Sequence, residues 1–188
     1  MPKLSSNLRI LDFDIENRPL SYLSGDFTTS EITAIAACWV GQPKSMTCWL
    51  LGTDDPVDML EGFCKAYDSA DMVTGHYIRM HDLPKINGAM IERGLPPLAE
   101  KLTCDTKLDL LRHGGEISAS QENLCAMLGL VAPKIKMNTV MWREANRLTP
   151  KGLKLTAQRA MGDVIQHMAL RLALVERNLL KPPKVWRP

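Results

Sequence analysis

Asp14 and Glu16 stand one residue apart near the end of the run Leu8-Arg9-Ile10-Leu11-Asp12-Phe13-Asp14-Ile15-Glu16-Asn17-Arg18-Pro19. Side chains alternate faces along a strand, so both carboxylates project the same way. Leu11, Phe13 and Ile15 mark that strand as buried, where two uncompensated acids are costly and raise one another's pKa. A hard divalent cation with oxygen ligands, Mg²⁺ or Mn²⁺, resolves the repulsion. Two other segments offer one acid each: Asp82 in Gly75-His76-Tyr77-Ile78-Arg79-Met80-His81-Asp82-Leu83-Pro84, and Asp163 in Arg159-Ala160-Met161-Gly162-Asp163-Val164. Each also has a bland explanation. Asp82 before Leu-Pro suits a helix N-cap, and Asp163 can pair with Arg159 one turn earlier. Arg159, Asp163 and His167 form one column at i, i+4 and i+8 of a helix.

In this order and at these separations, the three segments resemble the motifs of the DEDD superfamily of 3′-to-5′ exonucleases. This is the ribonuclease H-like, DnaQ-like group that includes polymerase proofreading domains. The wording is most similar to the exonuclease branch of family B DNA polymerases as found in phage-like proteins. The resemblance implies that Asp14, Glu16, Asp82 and Asp163 are catalytic acids holding two Mg²⁺ or Mn²⁺ ions. It further implies hydrolysis of DNA from a free 3′ end, most readily single-stranded, to nucleoside 5′-monophosphates, with a DNA polymerase or replisome as a candidate partner.

The chain departs from the family pattern at several places. Tyr77 stands where the second motif commonly has Asn, and His81 where it has Phe. Gln158 and Arg159 occupy the places of the His or Tyr that orients or deprotonates the attacking water. Arginine cannot act as a base at any working pH. Three routes stay open: His167 serves from the next turn, metal ions drive the attack while Arg159 contacts phosphate, or the activity is weak. Asn17, His76, Tyr77 and Asn87 are candidates to touch the terminal nucleotide, although packing or capping explains each nearly as well. An exoribonuclease and a catalytically weakened nucleic-acid-binding module remain as alternatives.

The 188 residues suit one domain, 45% hydrophobic and 23% charged, with 179–188 an extended tail. No apolar run approaches the ~20 residues that span a bilayer, and the N-terminus lacks a signal-peptide pattern, which argues for a cytoplasmic protein. Five widely spaced cysteines without a Cys-x-x-Cys read as reduced thiols. The net charge of +2 conceals an asymmetry: residues 1–132 carry 11 Lys and Arg against 18 Asp and Glu, and residues 133–188 carry 12 against 3. Such a basic run is usually a solvated face, and beside an acidic site it also suits a polyphosphate ligand.

The elements that must position these groups follow from periodicity. After the first strand comes a loop over 18–29, then strands at 32–40 and 45–51 around the turn Gly41-Gln42-Pro43-Lys44, an antiparallel start to the sheet. Asp55-Pro56 opens a helix to Ser69. A short strand at 72–75 leads to a helix over 83–93, stopped by Gly94. An extended piece at 102–105 precedes a helix from Thr106 to Arg112 with Asp105 as its cap, broken by Gly114-Gly115. Ser120 caps a helix over 121–128, 134–148 is ambiguous between loop and helix, and the longest helix runs over 151–178 with an apolar stripe through Leu153, Ala157, Ala160, Met161, Val164, Met168, Leu172 and Val175. Trp39, Trp49 and Trp142 read as core. Strands first and helices after give an α/β, ribonuclease H-like mixed sheet: three antiparallel strands plus parallel ones, flanked by helices.

Overall fold

A computed structural model describes residues 8–20, 30–111, 117–130 and 135–188. Strands β1 (Ile10–Pro19), β2 (Ser30–Trp39) and β3 (Thr47–Leu50) form the antiparallel start. Helix α1 (Pro56–Asp68) crosses to β4 (Met72–Gly75), which pairs parallel to β1. Helix α2 (Asp82–Glu92) then leads to β5 (Lys101–Asp105), parallel to β4. After α3 (Gln121–Met127), α4 (Thr139–Asn146) and the long α5 (Pro150–Glu176), β6 (Lys184–Trp186) closes the far edge antiparallel to β5. The order across the sheet is β3-β2-β1-β4-β5-β6. This mixed sheet flanked by helices is an α/β fold consistent with the ribonuclease H-like type.

The capping signals work as expected. Asp55 accepts from Val57 N, with Pro56 in the first turn of α1, and Ser120 accepts from Asn123 N to open α3. The extended tail is partly a strand: Thr103 Oγ1 donates to the Lys184 carbonyl, and the Trp186 side chain is buried in the main core. The expected helix from Thr106 does not form through the described residues. Asp105 is instead the anchor of a turn, its Oδ1 accepting from Lys107 N and Leu108 N; Arg112, Gly114 and Gly115 lie outside the described residues. Residues 21–29 of the expected loop lie outside them too, while Arg18 and Pro19 belong to β1.

The two faces of the sheet differ sharply in side-chain size. One carries Leu11, Phe13, Ile15 and Ile35 into a core with Phe63, Tyr67, Leu83 and Ile86 from α1 and α2. The other presents Ala34, Ala36 and Cys38 to Ala160 and Val164 of α5. Small residues on both sides let α5 lie close to the sheet. The buried side of α5 keeps Ala160 and Val164 of the expected stripe and departs from it elsewhere: Leu172 and Val175 are exposed, while Thr156, Asp163, Gln166 and His167 are buried. A helix that buries polar side chains among apolar ones requires polar partners for them on the strand below it.

Candidate active site

Those partners are on β1. Asp12, Asp14 and Glu16 share one face of the strand, opposite Cys38, Ala36 and Ala34 of β2. Two strand residues advance ~6.6 Å and four helix residues ~6 Å, so alternate strand positions and successive helix turns stay in step over three rungs. At the first rung, His167 Nδ1 lies 2.7 Å from Asp12 Oδ2. At the second, the carboxylates of Asp14 and Asp163 meet. At the third, Arg159 Nε pairs with Glu16 Oε1, while its Nη2 lies 3.5 Å from Asp163.

Asp14, Glu16 and Asp163 each bring a carboxylate oxygen within 4.8 Å of the others. Three hard oxygen donors this close, in a buried or half-buried setting, match the requirements of a divalent cation such as Mg²⁺ or Mn²⁺. Asp14 and Asp163 open onto a pocket of about 370 Å³ whose wall also includes His76, Tyr77, Asp82 and Lys107. Asp82 is thus at the site but outside the three-carboxylate cluster. Its Oδ1 accepts from Ile15 N at 3.2 Å and its Oδ2 lies 3.1 Å from His81 Nδ1. It is the first residue of α2 and not its cap, a place held by His81 without a side-chain hydrogen bond. Burial pushes the Asp82 carboxyl above its ordinary range, against the pull of His81 and the Ile15 amide.

The expected role for His167 at the attacking water does not survive the geometry. The residue is buried at the Asp12 rung, with Nε2 hydrogen-bonded to Thr106 Oγ1 at 2.9 Å; Thr106 in turn meets His76 Nδ1 at 2.9 Å. The chain Asp12–His167–Thr106–His76 runs from beneath the carboxylate cluster to the pocket wall. Burial raises the Asp12 carboxyl pKa, opposed by His167 and Arg171. Desolvation, helped by the nearby His167, pushes the His76 imidazole down to about 4, so it is neutral at pH 7.

The other candidates separate. His76 and Tyr77 line the pocket. Asn87 accepts from Leu98 N and so pins the segment after α2, a structural duty. Asn17 lies past the register shift between Glu16 and Asn17 and does not line the pocket. Arg159, expected on phosphate, is engaged with Glu16 and sits 5.2 Å from the Trp142 ring centroid, on a neighbouring hollow of about 490 Å³. Trp142 is therefore half-buried against this arginine and not in a core cluster, whereas Trp39 and Trp49 do pack against the main core. None of the five cysteines is in a disulfide.

Three groups at the site escape a motif reading. Asp12 shares strand parity with Asp14 and Glu16, a signal present in the sequence. Thr106 and Lys107 lie in a turn that periodicity assigns to a helix, so their approach to the pocket had no sequence signal.

The fold and the acidic cluster together define an α/β chain with a candidate divalent-metal centre between its first strand and its last long helix. No protein-family model and no curated protein matches the sequence. Among solved structures, the fold is similar to that of the family B DNA polymerase from the hyperthermophilic archaeon Pyrobaculum calidifontis, with a TM-score of 0.70 at 14% identity. The match covers 93% of this chain and 25% of the polymerase chain, so the chain spans about a quarter of that protein's length. At that identity the likeness is one of fold.

Proposed function

We propose that this chain is a metal-dependent 3′-to-5′ exonuclease that removes nucleoside 5′-monophosphates from the end of a DNA strand. The observation that carries the reading is the convergence of Asp14, Glu16 and Asp163 within 4.8 Å, beside a pocket that Asp82 also lines. Asp14, Glu16 and Asp163 would hold the divalent ion, Mg²⁺ or Mn²⁺, with Asp82 at the wall where a second ion and the strand end would lie. A bound ion there supplies Lewis-acid polarisation of the phosphodiester and lowers the pKa of water.

The chain's own residues do the rest. Arg159 pairs with Glu16 and also approaches Asp163, so it answers part of the cluster's charge in the absence of an ion. The Ile15 amide and His81 fix the Asp82 carboxylate. Neither Arg159 nor the buried His167 is placed as a base, which favours metal-driven attack over side-chain deprotonation. Similarity to part of a polymerase supports DNA as the substrate and a polymerase as the partner of a separate proofreading unit, acting in the cytoplasm where such DNA is found.

A second reading is a nucleic-acid-binding module with little activity, favoured by the same absence of a base in the third motif. An exoribonuclease shares the chemistry. Digestion of 5′-labelled single-stranded DNA and RNA in Mn²⁺, by wild type and by Asp14→Ala, separates the three. Stepwise shortening of DNA that Asp14→Ala abolishes supports the proposal. Shortening of RNA alone moves the assignment to the ribonuclease, and binding without shortening moves it to the module.

A further inference from the structure

Tyr77 adopts a φ of 73°, the left-handed region that a bulky residue enters only at a cost of ~1 kcal/mol or more. Glycine would sit there without strain. The conformation is held by one fully buried carboxylate: Asp105 accepts from Tyr77 N at 3.0 Å and Arg79 N at 3.1 Å, and from Lys107 N and Leu108 N at 3.0 Å each. Asp105 N donates to Asp109, which also pairs with Arg79 at 2.6 Å. A single anchor therefore positions the backbones of both Tyr77 and Lys107. The side chains converge too, with Lys107 Nζ 3.8 Å from the Tyr77 ring centroid. Both are half-buried and line the pocket that holds Asp14 and Asp163.

We propose that the Tyr77–Lys107 pair is the seat of the terminal nucleotide, the ring stacking on its base and the ammonium meeting its phosphate. The inference rests on the nuclease reading of the carboxylate pocket and adds what that pocket recognises: a base-bearing strand end, not phosphate alone. A rigid aromatic ring stacks any base, because every base has a π face. An ammonium held against the ring electrostatically is placed as a phosphate counter-charge in a pocket that Asp14, Asp82, Glu122 and Asp163 also line.

Fluorescence anisotropy tests it with 5′-labelled single strands in EDTA, so that nothing is cut, comparing an intact 3′ end with an abasic 3′ end. Wild type is expected to bind the intact end about tenfold more tightly. Tyr77→Phe should retain that ratio. Tyr77→Leu and Tyr77→Gly should erase it, and the glycine variant, which relieves the backbone, should melt no lower than wild type. Lys107→Met should weaken both ends alike and flatten the salt dependence by about one counterion. Equal wild-type affinity for both ends, or an unchanged ratio in Tyr77→Gly, overturns the proposal. If Mn²⁺-dependent shortening persists in wild type under that outcome, only the nucleotide seat falls. If shortening is absent as well, the nuclease reading falls with it.

Discussion

The Asp12 rung and the Asp14 rung are adjacent on one face of β1 and look at the same helix, yet they settle their charge differently. Asp12 is fully buried and meets an imidazole at 2.7 Å, with a hydroxyl behind it, so its charge is answered inside the protein. Asp14 meets another carboxylate, Asp163, with Glu16 close by. Moving two residues along the strand and one turn along the helix replaces His167 by Asp163, and a structural pair gives way to a candidate cation site. A buried acid with a hydrogen-bonding partner holds a fold together; acids gathered with one another, even with Arg159 against two of them, offer the oxygen donors that a metal could use.

The two rungs should therefore break in opposite ways. The largest effect is expected on catalysis: Asp14→Ala or Asp163→Ala should lower Mn²⁺-dependent strand shortening by ~10³-fold or more, since Lewis-acid stabilisation is worth several kcal/mol. Their metal-free melting temperatures should change less than that of Asp12→Ala, as read by circular dichroism. Asp12→Ala should do the reverse, costing ~3 to 5 kcal/mol of stability in urea unfolding because it strands His167 in a buried site. Mn²⁺ affinity of the fraction that stays folded should change little. A stability loss in Asp14→Ala matching that of Asp12→Ala would erase the distinction between the rungs.

A smaller effect separates the third rung. Arg159→Gln removes a cation that competes for Glu16 and Asp163, so calorimetric Mn²⁺ affinity should rise severalfold while metal-free stability falls. Affinity that drops instead would mean Arg159 chiefly positions Glu16.

A further effect concerns pH. The His76 pKa falls from 6.5 to about 4 on folding, so the unfolded chain binds its proton first. The stability this contributes is complete above pH 6.5 and lost as pH falls toward 4, by roughly 3 kcal/mol at most. The raised pKa values of Asp12 and Asp82 act the other way at the low end of that window, since the folded state takes up their protons more readily. Comparing wild type with His76→Asn isolates the histidine: the variant's melting temperature should fall less between pH 6.5 and 4.5, and parallel curves would refute the assignment.

Much of this seam was legible beforehand because it rests on local periodicity. Strand parity aligned Asp14 with Glu16, the i, i+4 column linked Arg159, Asp163 and His167, and Asp55-Pro56 and Ser120 marked helix starts by their own chemistry. What escaped reading depends on tertiary contact. Asp12 carried the right parity, but only packing of α5 on the small residues of β2 showed that His167 answers it. The apolar stripe holds at Ala160 and Val164 and fails at Leu172 and Val175, and the helix also buries Asp163 and His167 because β1 supplies partners for them. The turn at Thr106 and Lys107 is held by Asp105, whose contacts reach back some 28 residues to Tyr77, so no local pattern announced it. Asn17 and Asn87 were near the motifs in sequence and away from the pocket in space.

Isothermal titration of Mn²⁺ decides whether one strand and one distant helix together make a divalent-cation site. Wild type and the exposed-acid control Asp58→Ala should bind saturably with the same affinity, and Asp163→Ala should lose that binding while remaining folded. Absence of saturable binding in wild type, or equal binding by Asp163→Ala, would contradict it.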